Sequence, residues 1–281
     1  MGSPKLLKSV MLNYSLCGKK DEGGILEPCY KRVANDITLK GGNMEKIVYA
    51  VWRDPSIDRE THNARLRGEV AEALSNSESV CAVQVNISDD AVEPAAAIRQ
   101  VNTKPQMDSV IQIWVHSALD RFRTPLDEIV TKSVGRMAAY LVTESQPIPN
   151  TLHRPKPGQR TEGFSQVVFL KRPPRLRYEE WLFNWLRLHT DVGIDTQSNF
   201  EYVQNVVVRT LTYGAPQYDA MIEECFPVEA MTNSQAFYDA IGNEEKFQKN
   251  LATMMESCQR FIDFDKIDVV PTSQYVIKPL R

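Results

Sequence analysis

The sequence lacks any apolar run near the roughly 18 residues that a membrane-spanning helix needs. It also lacks an excess of one charge, because 33 Lys and Arg stand against 36 Asp and Glu, for a net charge of −3. A chain so balanced has no general attraction for nucleic acid or anionic lipid. We therefore expect neither a membrane nor a nucleic acid as a partner.

Cysteine and histidine are scarce. The five cysteines are odd in number and scattered, and the four histidines include no pair at the spacing of zinc ligands. The pattern indicates reduced thiols in a cytoplasmic protein and predicts no metal site. Since a glycine-rich phosphate loop, a nucleophile elbow and a kinase pattern are also missing, we expect no cofactor.

The chain has 281 residues, 42% of them hydrophobic and 25% charged, which is ordinary for one large or two small globular domains. Residues 1–43 stand apart because they show no sustained hydrophobic period. Two explanations stay open for this irregular leader. Residues 40–44 can be encoded by a ribosome-binding sequence followed by a start codon, so the native protein would begin at Met44. Alternatively, the segment is a flexible linker.

From Met44 onward the same order of elements occurs twice. Val48–Arg53 and Val167–Arg172 both indicate a strand that leads through a basic or proline turn into a helix. Each unit then continues as strand, strand, helix and strand, the ferredoxin-like order. The second unit has His189 where the first has Val70, so we expect one working unit and one supporting, degenerate unit.

The hydrophobic patterns place strands and helices in both units. In the first, strands are predicted at 46–52, 80–88, 109–116 and 137–144, with one helix at 58–74. A second helix is predicted with Thr124 as its N-cap and Pro125 at its first position. In the second, strands are predicted at 165–171, 202–213, 219–226 and 269–277, with helices at 177–190 and between 232 and 262. We assign residues 44–145 to the first repeat, 146–163 to a proline-rich linker and 164–281 to the second repeat.

The predicted fold class is α+β, with two ferredoxin-like repeats that form an intrachain α/β barrel of the dimeric type. Each antiparallel sheet carries helices on one face only, which leaves the other face apolar. Two such faces are expected to bury each other. The chain would then be a monomer with a pseudo-dimeric barrel, or a homodimer of such chains.

Over residues 164–277 the sequence resembles the EthD-domain proteins of the dimeric α/β-barrel superfamily. The resemblance is carried by Glu179, Glu180, Trp181, Trp185 and His189; by Tyr202, Gln204 and Asn205; by Tyr218, Asp219, Glu223 and Phe226; and by Phe261, Ile262 and Asp263. The histidine-bearing helix is the most specific part. The resemblance implies the barrel fold and a loose range of activities: cofactor-free monooxygenases, decarboxylases and dehydratases of aromatic polyketides, and haem enzymes.

The physical case for His189 is independent of that resemblance. Trp181, Trp185 and His189 are four residues apart, so they share one face of a helix. An imidazole beside two indoles is poorly solvated, which disfavours its charged form. A neutral histidine can accept a proton near pH 7, so we predict that His189 is a general base. The alternative is a core histidine bonded to the backbone, with both tryptophans packed in the core.

The expected polar partners of His189 come from strands. Tyr202 and Asn205 point to opposite faces, so only one of them faces the helix of His189. Tyr218 and Asp219 also lie on opposite faces, and Asp219 would either orient the imidazole or lie exposed in a turn. Catalytic roles are therefore predicted for His189 and Asp219. Substrate-binding roles are predicted for Trp181, Trp185, Tyr202, Asn205, Tyr218 and His116, the last in the first unit's own cavity.

Three functions agree with these observations. The first is a cofactor-independent EthD-like enzyme, a lyase or decarboxylase or an oxygenase, that acts on a small aromatic or polyketide-like compound. The second is a haem-binding duplicated barrel with His189 as axial ligand. The third is a non-catalytic binder of small apolar ligands. We favour the first, in which His189 moves a proton at a carbon next to a carbonyl.

Overall fold

The computed structural model describes residues 44–280; the predictions for residues 1–43 lie outside them. The described residues form eight strands: β1 Glu45–Trp52, β2 Val80–Ile87, β3 Ser109–Val115, β4 Arg136–Ile148, β5 Phe164–Leu170, β6 Glu201–Thr210, β7 Ala220–Phe226 and β8 Asp268–Lys278. The α-helices are α1 Arg59–Arg65, α2 Ala71–Ser75, α3 Asp120–Thr131, α4 Tyr178–Leu182, α5 Thr190–Thr196, α6 Ser234–Phe237 and α7 Glu244–Gln259. No helix within residues 44–280 is both long and apolar enough to cross a bilayer.

All eight strands form one closed antiparallel barrel in the order β1-β3-β2-β8-β5-β7-β6-β4. The first four strands lie side by side in the order β4-β1-β3-β2. The last four lie in the equivalent order, β8-β5-β7-β6. The two sets join where β2 pairs with β8 and β4 pairs with β6. The predicted α+β barrel is therefore confirmed. That the two sets arose by duplication, with the boundaries given above, stays a prediction.

The first helix of each half is interrupted by a π-helical stretch. In the first half, Asp58 caps α1 by accepting a hydrogen bond from the Thr61 amide at 2.8 Å, and the π-helical residues Leu66–Val70 lead into α2. In the second half, Phe183–His189 joins α4 to α5 in the same way. A π-helical turn widens the backbone and often occurs at functional sites.

Strand alternation divides the core into layers. One face of β1 packs under the helices of the first half through Ile47, Tyr49 and Val51. The opposite face turns Val48 and Ala50 into the barrel, where they meet Phe169 of β5 and other inward residues of both halves. A third cluster lies between the sheet and the helices of the second half. The barrel interior is thus a core shared by both halves.

The two halves differ at the helix position of His189. Val70 occupies that position in the first half, is 1% exposed and packs with Leu66 and Leu74. His189 is buried too, but it borders a cavity, described below. The space under the helices is therefore filled with aliphatic side chains in the first half and partly open in the second.

Several element boundaries differ from the sequence prediction, and those of β4 and α3 change how the sequence signals are interpreted. Strand β4 continues to Ile148, since its last residues still pair with β6 inside the segment expected to be a linker. Helix α3 begins at Asp120, so Pro125 lies within the helix rather than at its first position. The Thr124 hydroxyl does not cap the helix but donates to the Asp120 carbonyl at 2.7 Å.

Gly163, just before β5, gives a test of this packing. A Cβ added there would lie 1.9 Å from the Phe226 carbonyl oxygen, and the residue has a φ of +79°. Gly158 has a similar φ of +77° but open space around it. We expect Gly158→Ala to lower the free energy of unfolding by about 1–2 kcal/mol, the cost of a left-handed backbone.

Gly163→Ala should cost about 2 kcal/mol more, because the clash with β7 adds to the same backbone cost. Urea denaturation of the two variants measures both values. Equal destabilisation would contradict the close approach of Gly163 to Phe226.

Candidate functional site

A cavity of about 710 Å³ lies in the second half, between the helices and the outer face of β5, β7 and β8. We call it the helix-side cavity. Its volume is in the range of small-molecule sites. Most of its lining is apolar, including Ile98, Val168, Ile222, Met254, Phe261 and Val269, and its polar groups include Gln166, His189, Gln197, Glu224, Tyr238 and Cys258. Ile98 ends a 3₁₀-helical segment, Asp90–Ile98, so the first half also supplies part of the wall.

His189 reaches this cavity from the end of the π-helical segment. It is 8% exposed, and its ring lies 4.7 Å from that of Phe261, centroid to centroid. The Nδ1 atom is 3.0 Å from the Ser257 hydroxyl of α7. Burial lowers the pKa of His189 to about 4, so the imidazole is neutral at pH 7. It can then donate one hydrogen bond and accept another.

Glu224 is the carboxyl group of the helix-side cavity. It lies on β7 with Ile222, on the face turned toward the helices, because side chains two apart in a strand share a face. Its Oε1 atom accepts a hydrogen bond from Asn199 Nδ2 at 2.8 Å. Burial raises the pKa of Glu224 to about 7, and the bond from Asn199 opposes that rise only in part. Such a carboxyl can both give and take a proton near neutral pH.

The remaining polar groups make the cavity poor in charge. Burial, with a smaller contribution from Glu224, raises the pKa of the Cys258 thiol to about 12. Tyr238 has its pKa raised to about 12, also mainly by burial. Neither group ionises near pH 7. Among the described residues that line the cavity, no Lys or Arg is present. The cavity therefore combines a weakly polar interior with one titrating carboxyl and one neutral imidazole.

The two predicted pocket tryptophans lie in the core next to this cavity. Trp181 and Trp185 are both 0% exposed, and their rings lie 5.3 Å apart. Trp181 Nε1 donates to the Phe261 carbonyl at 3.2 Å. Neither indole is part of the cavity lining. Their contact with Phe261 supports the wall that His189 shares.

Tyr202 and Asn205 lie on opposite faces of β6, as predicted. Tyr202 packs under the helices in the same cluster as Trp185, and its hydroxyl accepts from Gln204 Nε2 at 2.8 Å. Asn205 lies on the other face, with Val207 of the barrel core. Its Nδ2 donates to the Met221 carbonyl at 3.2 Å. Neither side chain lines the helix-side cavity.

Tyr218 and Asp219 are separated from His189. Tyr218 belongs to the core of the barrel interior, where its hydroxyl donates to Asp268 at 3.0 Å. Asp219 accepts from the Arg172 amide at 2.8 Å and fixes the turn after β5. The hydrogen-bonding group at His189 Nδ1 is therefore Ser257 and not Asp219.

His116 follows the last residue of β3 in the first half. It does not line the helix-side cavity. Its ring nitrogens are 3.6 and 3.7 Å from the Cys81 sulfur.

Of the eight site residues predicted from the sequence, only His189 lines the helix-side cavity. Within residues 44–280, no three His, Cys, Asp or Glu side chains are grouped as a metal site.

Sequence reasoning missed Glu224 and Ser257. The sequence does carry a signal for Glu224. Alternate residues of a strand share a face, so Glu224 lies on the same face as the apolar residues Ala220 and Ile222, and this predicts a carboxyl group that faces the helices. Its neighbour Glu223, which carries part of the family resemblance, points into the barrel instead. Ser257 gave no such signal, since a serine on an amphipathic helix is usually without a special role.

No protein-family description and no curated protein matches this chain, so membership of the EthD family stays a prediction. Among solved structures, an anthrone oxidase-like protein has 9% identity and a TM-score of 0.48, over 87% of this chain and 98% of that chain. A provisionally assigned monooxygenase from Fusobacterium nucleatum has 8% identity and a TM-score of 0.45, over 85% and 94%. A chlorite dismutase variant from Candidatus Nitrospira defluvii has 10% identity and a TM-score of 0.38, over 86% and 94%.

All three scores lie below 0.5, so these similarities establish neither an activity nor a ligand for this chain.

The environment of Glu224 can be tested by stability. Its raised pKa means that the folded protein holds a proton that the unfolded chain releases between the ordinary value of 4.5 and about 7. Stability from this group is therefore present at low pH and lost as the pH rises through that window. Glu224→Gln has no group that titrates here, so its stability lacks this decrease. The difference in unfolding free energy, variant minus wild type, should therefore increase by about 3 kcal/mol from pH 4.5 to pH 8.

The measurement is urea denaturation of both proteins across that pH range, with Glu245→Gln on the exposed surface of α7 as the control. His189 has the opposite dependence, since its lowered pKa costs stability as the pH falls from 6.5 toward 4. That contribution is present in both proteins and cancels in the comparison. A difference that stays constant with pH would contradict the buried, raised carboxyl.

Proposed function

We propose that the protein is a cofactor-independent enzyme that binds a small, largely apolar compound in the helix-side cavity and transfers a proton there. The proposal depends on one observation: the carboxyl group of Glu224, with a pKa near 7, and the neutral imidazole of His189 line the same cavity. An enzyme that removes a proton next to a carbonyl needs a base that works near neutral pH and a group that bonds the developing oxyanion.

The pKa values divide these two tasks. Glu224, at about 7, is ionised in a substantial fraction of molecules at neutral pH and is the stronger base. His189, at about 4, is neutral but only weakly basic. We therefore transfer the general-base role from His189, where the sequence suggested it, to Glu224. With Nδ1 engaged by Ser257, His189 would use its other ring nitrogen to bond the substrate oxygen.

The lining favours a substrate that is neutral or only weakly charged. Aromatic and aliphatic side chains such as Phe261, Ile222 and Met254 would contact an aromatic or polyketide-like ring system. An anionic group held near Glu224 would meet a negative charge without a compensating Lys or Arg in the described lining. A lyase or an oxygenase reaction could both begin with the same proton abstraction.

Haem fits this cavity less well. An axial role for His189 would use a neutral imidazole whose Nδ1 is hydrogen bonded, which the Ser257 contact allows. However, the described lining offers no Lys or Arg for the propionates of a haem, and it adds the carboxyl group of Glu224 to the two negative charges of those propionates. We therefore assign no step of the reaction to haem.

Hydrogen–deuterium exchange tests the proton transfer without knowledge of the native substrate. The probe is 2-tetralone, a neutral aromatic ketone with acidic C–H bonds next to its carbonyl. In D₂O, NMR should show loss of these protons faster with the wild-type protein than in buffer. Glu224→Gln should lower the enzymatic rate by about 10²–10⁴-fold, the usual contribution of a general base.

His189→Ala should also slow exchange, and the wild-type rate should rise with pH to a plateau above an apparent pKa near 7. Probe binding, followed by ligand-observed NMR, should persist in Glu224→Gln, because most of the cavity surface is unchanged. Binding without any accelerated exchange would identify a non-catalytic binder. Exchange that is equal in wild type and Glu224→Gln would refute the role of the carboxyl group.

A further inference from the structure

The neutral imidazole of His189 can carry its proton on either nitrogen, and the two forms present opposite groups to the helix-side cavity. Nε2 has no hydrogen-bond partner among the described residues, and it stays in contact with the cavity space. With the proton on Nε2 the ring offers a donor there, and with the proton on Nδ1 it offers a lone pair. The contact at Nδ1 therefore decides which ligand groups the cavity can hold at this point.

The partner at Nδ1 is a hydroxyl group with no other acceptor. Ser257 lies on α7 and is 2% exposed, and its Oγ atom is 3.0 Å from His189 Nδ1. Within residues 44–280, this contact is the only hydrogen bond of the Ser257 side chain. Hydroxyls on the neighbouring helix α5 differ, because Thr190 and Thr196 donate to carbonyls four residues back, at 3.0 and 2.6 Å. Since Ser257 makes no such bond, Nδ1 is its one acceptor.

The balance of donors and acceptors places the ring proton. If Nδ1 carried it and donated to Ser257, the hydroxyl hydrogen of Ser257 would be buried without an acceptor, which is a costly arrangement. If Ser257 donates to Nδ1, the hydroxyl and Nδ1 are both satisfied, and the ring proton is on Nε2. The ring of Phe261, 4.7 Å away between centroids, packs against the imidazole and helps to hold this orientation.

We propose that Ser257 is a positioning residue that donates to Nδ1 and keeps the proton of His189 on Nε2, so that the helix-side cavity selects ligands with an accepting oxygen, such as a carbonyl, at that point. This inference rests on the function proposed above and narrows its substrate class. A ligand group that can only donate, such as an ammonium group or an indole N–H, would place donor against donor.

The tautomer fits the proposed proton transfer. When Glu224 takes a proton from the carbon next to the carbonyl, the electron pair of the broken C–H bond forms a C=C bond. The carbonyl oxygen then becomes an enolate oxygen. His189 bonds this oxygen through Nε2–H and keeps its own proton, so Glu224 alone gains one.

¹⁵N NMR of the full chain labelled with ¹⁵N-histidine tests the tautomer without any ligand or turnover. The chain has four histidines, and the ring signals of His189 are identified by their absence in His189→Gln. Because burial lowers the pKa of His189 to about 4, the ring is neutral at pH 7. We expect Nε2, recognised by its coupling to both carbon-bound ring protons, to have the shift of a protonated nitrogen, and Nδ1 that of an acceptor.

Ser257→Ala should move these two shifts toward each other, because both tautomers become populated. Ser257→Thr should keep the wild-type separation, since it retains the hydroxyl group. Thr253→Ala, on the exposed face of α7 one turn earlier, is the matched control and should leave the spectrum unchanged. Thermal melting checks that the variants fold. A wild-type proton on Nδ1, or an unchanged spectrum in Ser257→Ala, would overturn the proposal.

Ligand selection is tested with 2-tetralone and tetralin, which have the same two-ring skeleton with and without a carbonyl. Loss of Nε2–H in His189→Phe should weaken 2-tetralone binding, measured by ligand-observed NMR, by about 3- to 10-fold and tetralin binding much less. Ser257→Ala should weaken 2-tetralone binding by about twofold or more, because only part of the rings keep the competent tautomer.

Equal changes for the two ligands, or no binding of 2-tetralone to the wild type, would refute the selection of an accepting oxygen. These readouts are independent of turnover. If the tautomer and the ligand preference are as expected but the protons of 2-tetralone exchange no faster than in buffer, the proton transfer proposed above is refuted and the role of Ser257 stands.

Discussion

Burial of two apolar sheet faces against each other is the constraint on which this structure depends. Each set of four strands has helices on one side only, and residues such as Val48, Ala50 and Phe169 would be exposed to water without the other set. Closure also pairs every edge strand, since β2 meets β8 and β4 meets β6. Only the outer face of each four-stranded set then remains uncovered by the barrel itself, and the helices pack on that face.

This arrangement confines chemistry to places where packing is incomplete. Under the helices of the first half, Val70 and its neighbours fill the space. Under those of the second half, His189 and Glu224 border a cavity that the first half helps to enclose through its 3₁₀-helical segment. The two halves have the same strand order, but their side chains make one half a support and the other a candidate site.

Glu223 and Glu224 show how much the two faces of one strand can differ. They are adjacent on β7, and both are buried. Glu224 has one amide donor in a largely apolar space, so its proton is retained to about pH 7. Glu223 is surrounded by five neutral donors inside the barrel. A shift of one residue along the strand thus separates a candidate proton-transfer group from a carboxyl group that is fully hydrogen bonded inside the barrel.

The sequence by itself determined the order of the elements, the α+β barrel and the presence of His189 on a buried helix, because hydrophobic period and helix caps are local properties. Only the tertiary structure decided which polar groups meet. Asp219 fixes a turn and Ser257 takes the place expected for it at His189. The tryptophans pack behind the cavity wall, and Glu224 enters the cavity. Strand parity separates the two faces of a sheet, but which face holds empty space depends on side chains distant in the chain.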